Sequence, residues 1–177
     1  VAFVFLIIMV INSINIAKGT NQQLRATVQP IDTTEEIKWT SSNPNIIEIS
    51  NEGVIIAKNG GIATITATCG SNISTCNVEV YVKLESISVE DIKIVRGNTG
   101  QLNITVTPNT EFLEELVFTS ASPSEVTVNN TGGISVMKNA SWGKKIITIS
   151  GKYSTDVKET CIVTVLSEDQ DLLRWVP

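Results

Sequence analysis

Histidine is absent from all 177 residues. That excludes Ser-His-Asp and Cys-His nucleophile systems and histidine-ligated zinc, because each needs an imidazole. The 3 cysteines fall short of a four-thiolate zinc site. Lysine and arginine number 13 against 18 aspartate and glutamate, for a net charge of −5. A surface that neutralises nucleic-acid phosphates has the opposite balance. Aromatic residues make up 5% of the chain, too few for an extended sugar-stacking platform. Nowhere does a glycine-rich loop open a helix to cradle phosphate. What is present is 42% hydrophobic residues, enough to build a core. The length suits one or two domains.

The sequence repeats itself. Gly19-Thr20-Asn21-Gln22-Gln23-Leu24 aligns with Gly97-Asn98-Thr99-Gly100-Gln101-Leu102, and Thr27-Val28-Gln29-Pro30 with Thr105-Val106-Thr107-Pro108, at one common offset. Trp39-Thr40-Ser41-Ser42-Asn43-Pro44 aligns with Phe118-Thr119-Ser120-Ala121-Ser122-Pro123 one residue further on. Gly53-Val54 is then matched to Gly133-Ile134, Gly61 to Gly143 and Cys76 to Cys161 as the offset grows. Each growth falls near a turn signal, as expected of two copies of one fold, since loops accept insertions and strands do not.

Within each copy the apolar period is two. Leu24, Ala26 and Val28 alternate with polar neighbours, as do Ile47 and Ile49, Val54 and Ile56, Ile65 and Ala67, and Val78 and Val80. The second copy repeats this with Leu102, Ile104 and Val106, Val126 and Val128, Ile134 and Val136, Ile147 and Ile149, and Val163 and Val165. Such runs, cut by Gly, Asn, Ser and Pro clusters, read as half-buried antiparallel strands. Asn51-Glu52-Gly53 and Asn130-Thr131-Gly132-Gly133 read as hairpin loops with glycine at positive φ. The expected fold is all-β, two tandem immunoglobulin-like β-sandwich domains. The expected boundaries are an apolar segment 1–8, domains 9–83 and 84–166, and a tail 167–177. Val80-Tyr81-Val82-Lys83-Leu84 joins the copies without Gly or Pro.

Both copies resemble the group 2 bacterial immunoglobulin-like domain, BIG2. The resemblance rests on Ile16-Ala17-Lys18-Gly19, Gln23 to Pro30, Trp39 to Pro44, Gly53 to Ala57 and Gly61 to Ala67. The second copy departs at Phe118, at the longer turn Ala140-Ser141-Trp142, and at Lys144-Lys145. The resemblance implies an extracellular or surface-exposed sandwich of the kind found in adhesins, cell-wall proteins, secreted glycosidases and phage virions. The expected role is a non-catalytic structural or adhesion module of a bacterial surface or secreted protein, spacing and presenting binding surfaces. An accessory carbohydrate-binding module of a secreted polysaccharide-active enzyme and a phage virion decoration domain are the alternatives. Neither catalytic residues nor a metal or cofactor are expected. The expected partners are a host or cell-surface protein or glycan and flanking domains of a longer polypeptide. No nucleic acid is expected, and a membrane only through an N-terminal anchor.

Particular residues carry sharper expectations. Trp39 and Phe118 are expected in the core at corresponding points. Trp142, in a loop the first copy lacks, is the candidate ligand contact. The pairs Glu35-Glu36 and Glu114-Glu115 read as solvated loop charge, because neighbours entering a strand face opposite ways and cannot share one substrate. Glu85, Glu90 and Asp91 lack the ligand spacing of a calcium loop. Cys69 and Cys76 share the inward parity of their strands. A disulfide is expected if their hairpin sets 69 opposite 76, while Cys161 reads as a small buried hydrophobe. Val1 to Ile11 is an unbroken apolar run. Met9 and Ile11 are matched there to the inward Ile87 and Val89, leaving more apolar residues than a strand needs. The run is too short to span a bilayer and reads as the end of an export or anchor sequence entering the first strand. An edge strand covered by a preceding domain is the alternative.

Overall fold

The computed structural model describes residues 6–29 and 36–167. Val1–Phe5, Glu35 and the tail from Glu168 lie outside them. The chain divides into two compact units. One runs to Val82 and takes in Thr110–Leu113, and the other comprises Lys83–Asn109 and the residues from Glu114 onward.

Among the described residues, nine strands build the first domain: β1 (Leu6–Met9), β2 (Ser13–Ala17), β3 (Asn21–Gln23), β4 (Ala26–Gln29), β5 (Lys38–Ser41), β6 (Ile47–Ile49), β7 (Val54–Ala57), β8 (Gly61–Cys69) and β9 (Asn72–Tyr81). One layer is the sheet β2-β9-β8-β5, with β2 parallel to β9 and the other pairs antiparallel. The other layer combines β3-β7-β6 with β1-β4. At Leu24, which is buried and donates its N–H to Gly53 O at 2.9 Å, the chain leaves β7 and takes β1 as its new partner. In β8 and β9 the apolar residues Ala63, Ile65, Ala67, Cys76, Val78 and Val80 are buried. Thr64, Thr66, Thr68 and Thr75 take the other face, so period-two patterning fixes which side meets the core.

The second domain repeats this strand for strand. Its elements are β10 (Ser86–Val89), β11 (Ile92–Val95), β12 (Thr99–Gln101), β13 (Ile104–Thr107), β14 (Leu116–Ser120), β15 (Val126–Val128), β16 (Gly133–Val136), β17 (Gly143–Gly151) and β18 (Lys158–Leu166). They form β11-β18-β17-β14, β12-β16-β15 and β10-β13, the same order as in the first domain. Trp39 stands opposite Ala67, and Phe118 opposite Ile149, the equivalent rung. Both aromatics are half-buried rather than sealed in the core.

Two registers differ from the sequence expectation. In β7 the buried residues are Ile55 and Ala57, while Ile56 is exposed, so Val54 and Ile56 face away from the core. The positive-φ hairpin glycines are Gly53 (82°) and Gly132 (80°), and Gly133 takes the place of Val54 beside the β3 or β12 glutamine. Gly53 thus corresponds to Gly132, not to Gly133, and a one-residue slip exchanges the faces of a strand. In β1 the inward residues are Ile7 and Met9, which pair with Val28 and Ala26 as Ile87 and Val89 pair with Val106 and Ile104. Ile11 is exposed. Four residues, Val10 to Ser13, lead from Met9 to Ile14, which pairs with Val78, whereas Glu90 and Asp91 alone lead from Val89 to Ile92, which pairs with Val163, and this shifts the alignment by two. Residues 6–8 therefore belong to a paired strand, one face of which, Leu6 and Ile8, stays open.

Cys69 and Cys76 are both buried, as their parity requires, but they are not bonded to each other. The turn at Gly70-Ser71, with Gly70 at φ 58°, is as short as a hairpin allows. It sets Cys69 opposite Asn72 and Cys76 opposite Ile65. Four strand residues at about 3.3 Å each put the cysteines roughly 13 Å apart along the sheet, beyond the roughly 7 Å Cα separation a disulfide tolerates. Burial raises the Cys76 thiol above its ordinary range. Burial, with the nearby Asp91 charge, does the same for Cys161, whose Sγ lies 3.3 Å from Glu90 O. A thiol reagent at neutral pH is therefore expected to leave the native protein unmodified and to react with three thiols once it is unfolded. Reducing agent is expected to leave the unfolding midpoint unchanged.

Glu114 is not solvated loop charge. It is 3% exposed, and its carboxylate collects four donors. Oε1 accepts from Leu84 N at 2.8 Å and from Ser154 Oγ, and Oε2 accepts from Tyr153 N at 2.5 Å and Ser154 N at 2.8 Å. The group ties the start of the second domain to the turn between β17 and β18. Gly151, opposite Leu116, leaves the room: a Cβ there would lie 2.9 Å from Oε2. The first domain has Cys69 on that rung, so the space one copy gives to a cysteine side chain the other gives to a carboxylate.

Candidate functional site

Trp142 sits in the turn between β16 and β17 and is 69% exposed. The turn around it is anchored. Ala140 is fully buried and donates its N–H to Met137 O at 3.1 Å. Glu125 Oε1 accepts from Ser141 N at 2.7 Å and Ser141 Oγ at 2.6 Å. Lys145 Nζ donates to Glu125 Oε2 and, at 2.7 Å, to Ser141 Oγ. The Lys145 hydrogen bond, followed by those from Ser141, lowers the Glu125 carboxyl to about 2. Gly143 follows at φ 114°, a conformation that side chains disfavour. The turn that presents the exposed indole is thus anchored on both sides.

The Glu125 brace is not legible in the sequence. Ile46 O accepts from Lys58 N as Glu125 O accepts from Met137 N, so a glutamate stands where the first copy has isoleucine. In the first domain that isoleucine lies against Gly61, 2.6 Å from where a Cβ on the glycine would stand. In the second the glutamate reaches across to Ser141 and Lys145.

Each domain also carries an open groove beside its half-buried aromatic. The first, about 730 Å³, is lined by Leu24, Ala26, Ile37 and Trp39 with Arg25 and Glu36. The second, about 510 Å³, is lined by Leu102, Ile104, Leu116 and Phe118 with Glu115 and Thr131. Glu36 and Glu115 are exposed, and Glu115 pairs with Lys152 at 2.8 Å. Asp91 Oδ1 accepts from Ile162 N at 2.8 Å. Among the described residues no three His, Cys, Asp or Glu side chains gather as a metal site would require.

Residues 7–79 match the bacterial Ig-like domain (group 2) family. The first domain belongs to that family. The second repeats the order and register of the same Ig-like sandwich. An uncharacterized protein of Clostridium acetobutylicum is 29% identical over 148 residues, covering 80% of this chain and 15% of that protein. A lacto-N-biosidase of Bifidobacterium bifidum is 32% identical over 74 residues, covering 42% of this chain and 7% of the enzyme. The chain thus spans less than a fifth of either relative's length. Among solved structures, the N-terminal four Ig domains of Dscam1 isoform 1.9 align with a TM-score of 0.53 at 12% identity, covering 91% of this chain and 51% of that one. Likeness at that identity is likeness of fold.

Proposed function

We propose that this bacterial Ig-like pair is a non-catalytic module of a bacterial surface or secreted protein, spacing and presenting binding surfaces. The observation that carries the reading is the repetition itself. One family domain is followed by a second with the same strand order and register, each with its own buried core. Loops differ between the copies while the sandwiches do not, which suits a scaffold that varies what it displays. The test is protease treatment of intact cells of the producing bacterium. The full-length protein is expected to be clipped from the outside, whereas protection until the cells are lysed would contradict the reading. The similarity to part of a lacto-N-biosidase favours a second reading, an accessory module of a secreted polysaccharide-active enzyme. A catalytic domain elsewhere in the full-length polypeptide would decide for it.

A further inference from the structure

We infer that the end of the second domain around Trp142 is a contact site for an acidic polysaccharide, one with carboxylates on pyranose rings. Three turns meet there. Gly143, next to Trp142, pairs with Val165, and Lys144 pairs with Thr164. Arg96 donates its N–H to Leu166 O at 3.2 Å, placing the turn after β11 beside the end of β18. Gly97 donates to Val136 O at 3.1 Å, and the Lys138 chain passes over it, 3.0 Å from where a Cβ would stand. Arg96, Lys138 and Lys144 therefore lie on the turns gathered at the end of the domain that carries Trp142, and Lys138 and Lys144 are themselves exposed.

Arg96, Lys138 and Lys144 are cations on a chain that is acidic as a whole. The glutamate bound into this end, Glu125, is already taken up by Lys145 and Ser141. Arg96 Nε is buried without an acceptor among the described residues, so the exposed Lys138 and Lys144 are the cations a polymer reaches. An anion is the partner this cluster fits. The indole adds a second requirement. Its electron-rich face attracts the C–H face of a sugar ring, and the turn that carries it is already anchored, so its backbone loses little entropy on contact. Ring and carboxylate together describe a uronic-acid polymer. The first domain has neither the turn nor the tryptophan, so the site belongs to one copy.

The spacer reading needs no ligand, so it stands whether or not this site exists. The full chain is the form to test, since Glu168, Asp169 and Asp171 follow β18 in the sequence. Affinity electrophoresis in gels containing polygalacturonate, neutral dextran or poly-glutamate separates the two requirements. Polygalacturonate is expected to retard the protein, with binding at least about tenfold weaker at 1 M than at 0.1 M NaCl. Dextran and poly-glutamate are expected to bind at least tenfold more weakly. Trp142→Ala and the double variant Lys138→Glu/Lys144→Glu should each lose at least tenfold in affinity for polygalacturonate, with unfolding midpoints unchanged because all three side chains are exposed. No retardation by polygalacturonate, equal binding of either control polymer, or unchanged affinity in both variants would overturn the assignment.

Discussion

Glu114→Gln is expected to destabilise the second domain by about 2–4 kcal/mol, and Glu114→Ala by about 3–5 kcal/mol. The carboxylate offers two oxygens to four donors, two on each. Glutamine keeps one oxygen and turns an amide N–H₂ toward the donors the other used to serve. Alanine leaves the N–H groups of Leu84, Tyr153 and Ser154, of which Leu84 and Ser154 are buried, without the acceptor they share. Burial pushes the Glu114 carboxyl upward, but the hydrogen bonds from Leu84, Ser154 and Tyr153 outweigh it, so the group sits below its ordinary value. A carboxyl lowered by folding stabilises fully above its unfolded-state value, about pH 4.3, and that contribution fades as pH falls through the folded-state value. Denaturant midpoints of the second domain should therefore drop on acidification below about pH 4 in the parent. Glu114→Gln should flatten that part of the profile. A parent and variant with parallel acid profiles would show that the carboxylate is not the tie described.

The first strand gives an equally large contrast between adjacent positions. Ile7→Ser with Met9→Ser removes two buried side chains and should cost the first domain at least about 4 kcal/mol in urea unfolding. Leu6→Ser with Ile8→Ser, one residue out of phase, should change it by no more than about 1 kcal/mol, because those side chains are 49% and 44% exposed. The second domain already has Ser86 and Ser88 at those outward places, opposite Thr107 and Thr105. Equal losses in the two double variants would mean that β1 is buried on both faces. A processing cut after Ser13 or Ala17 would remove the whole strand and incur the larger loss.

How much of this was legible depended on whether polar residues marked the outward face. In β8 and β9 threonine, glutamate and asparagine alternate with the core residues, and the sequence pattern and the burial agree. In β7 the residues Val54-Ile55-Ile56-Ala57 are all apolar, so nothing distinguishes the outward pair from the inward one before the register is known. The apolar stretch in β1 misleads the same way, by two residues rather than one. The cysteine pair misleads for a different reason. Parity shows which face a side chain takes, but turn length decides which residues sit opposite, and Gly70-Ser71 is shorter than the loop that would have joined 69 to 76. Glu114 was illegible because its donors lie 30 to 40 residues away along the chain. Trp142 stands out in the repeat comparison, while the brace that fixes it depends on Glu125 occupying the place of Ile46, a replacement too unlike to suggest the correspondence.

The claim of two sandwiches, each with its own core, is tested most directly by thiol labelling of the full chain across a urea series, read peptide by peptide in a mass spectrometer. Cys69 and Cys76 report the first domain and Cys161 the second, and all three are buried. Glu114→Ala is predicted to move the Cys161 midpoint to lower urea and leave those of Cys69 and Cys76 in place. Ile7→Ser/Met9→Ser is predicted to do the reverse. One shared midpoint for all three cysteines, displaced together by either variant, would contradict the account.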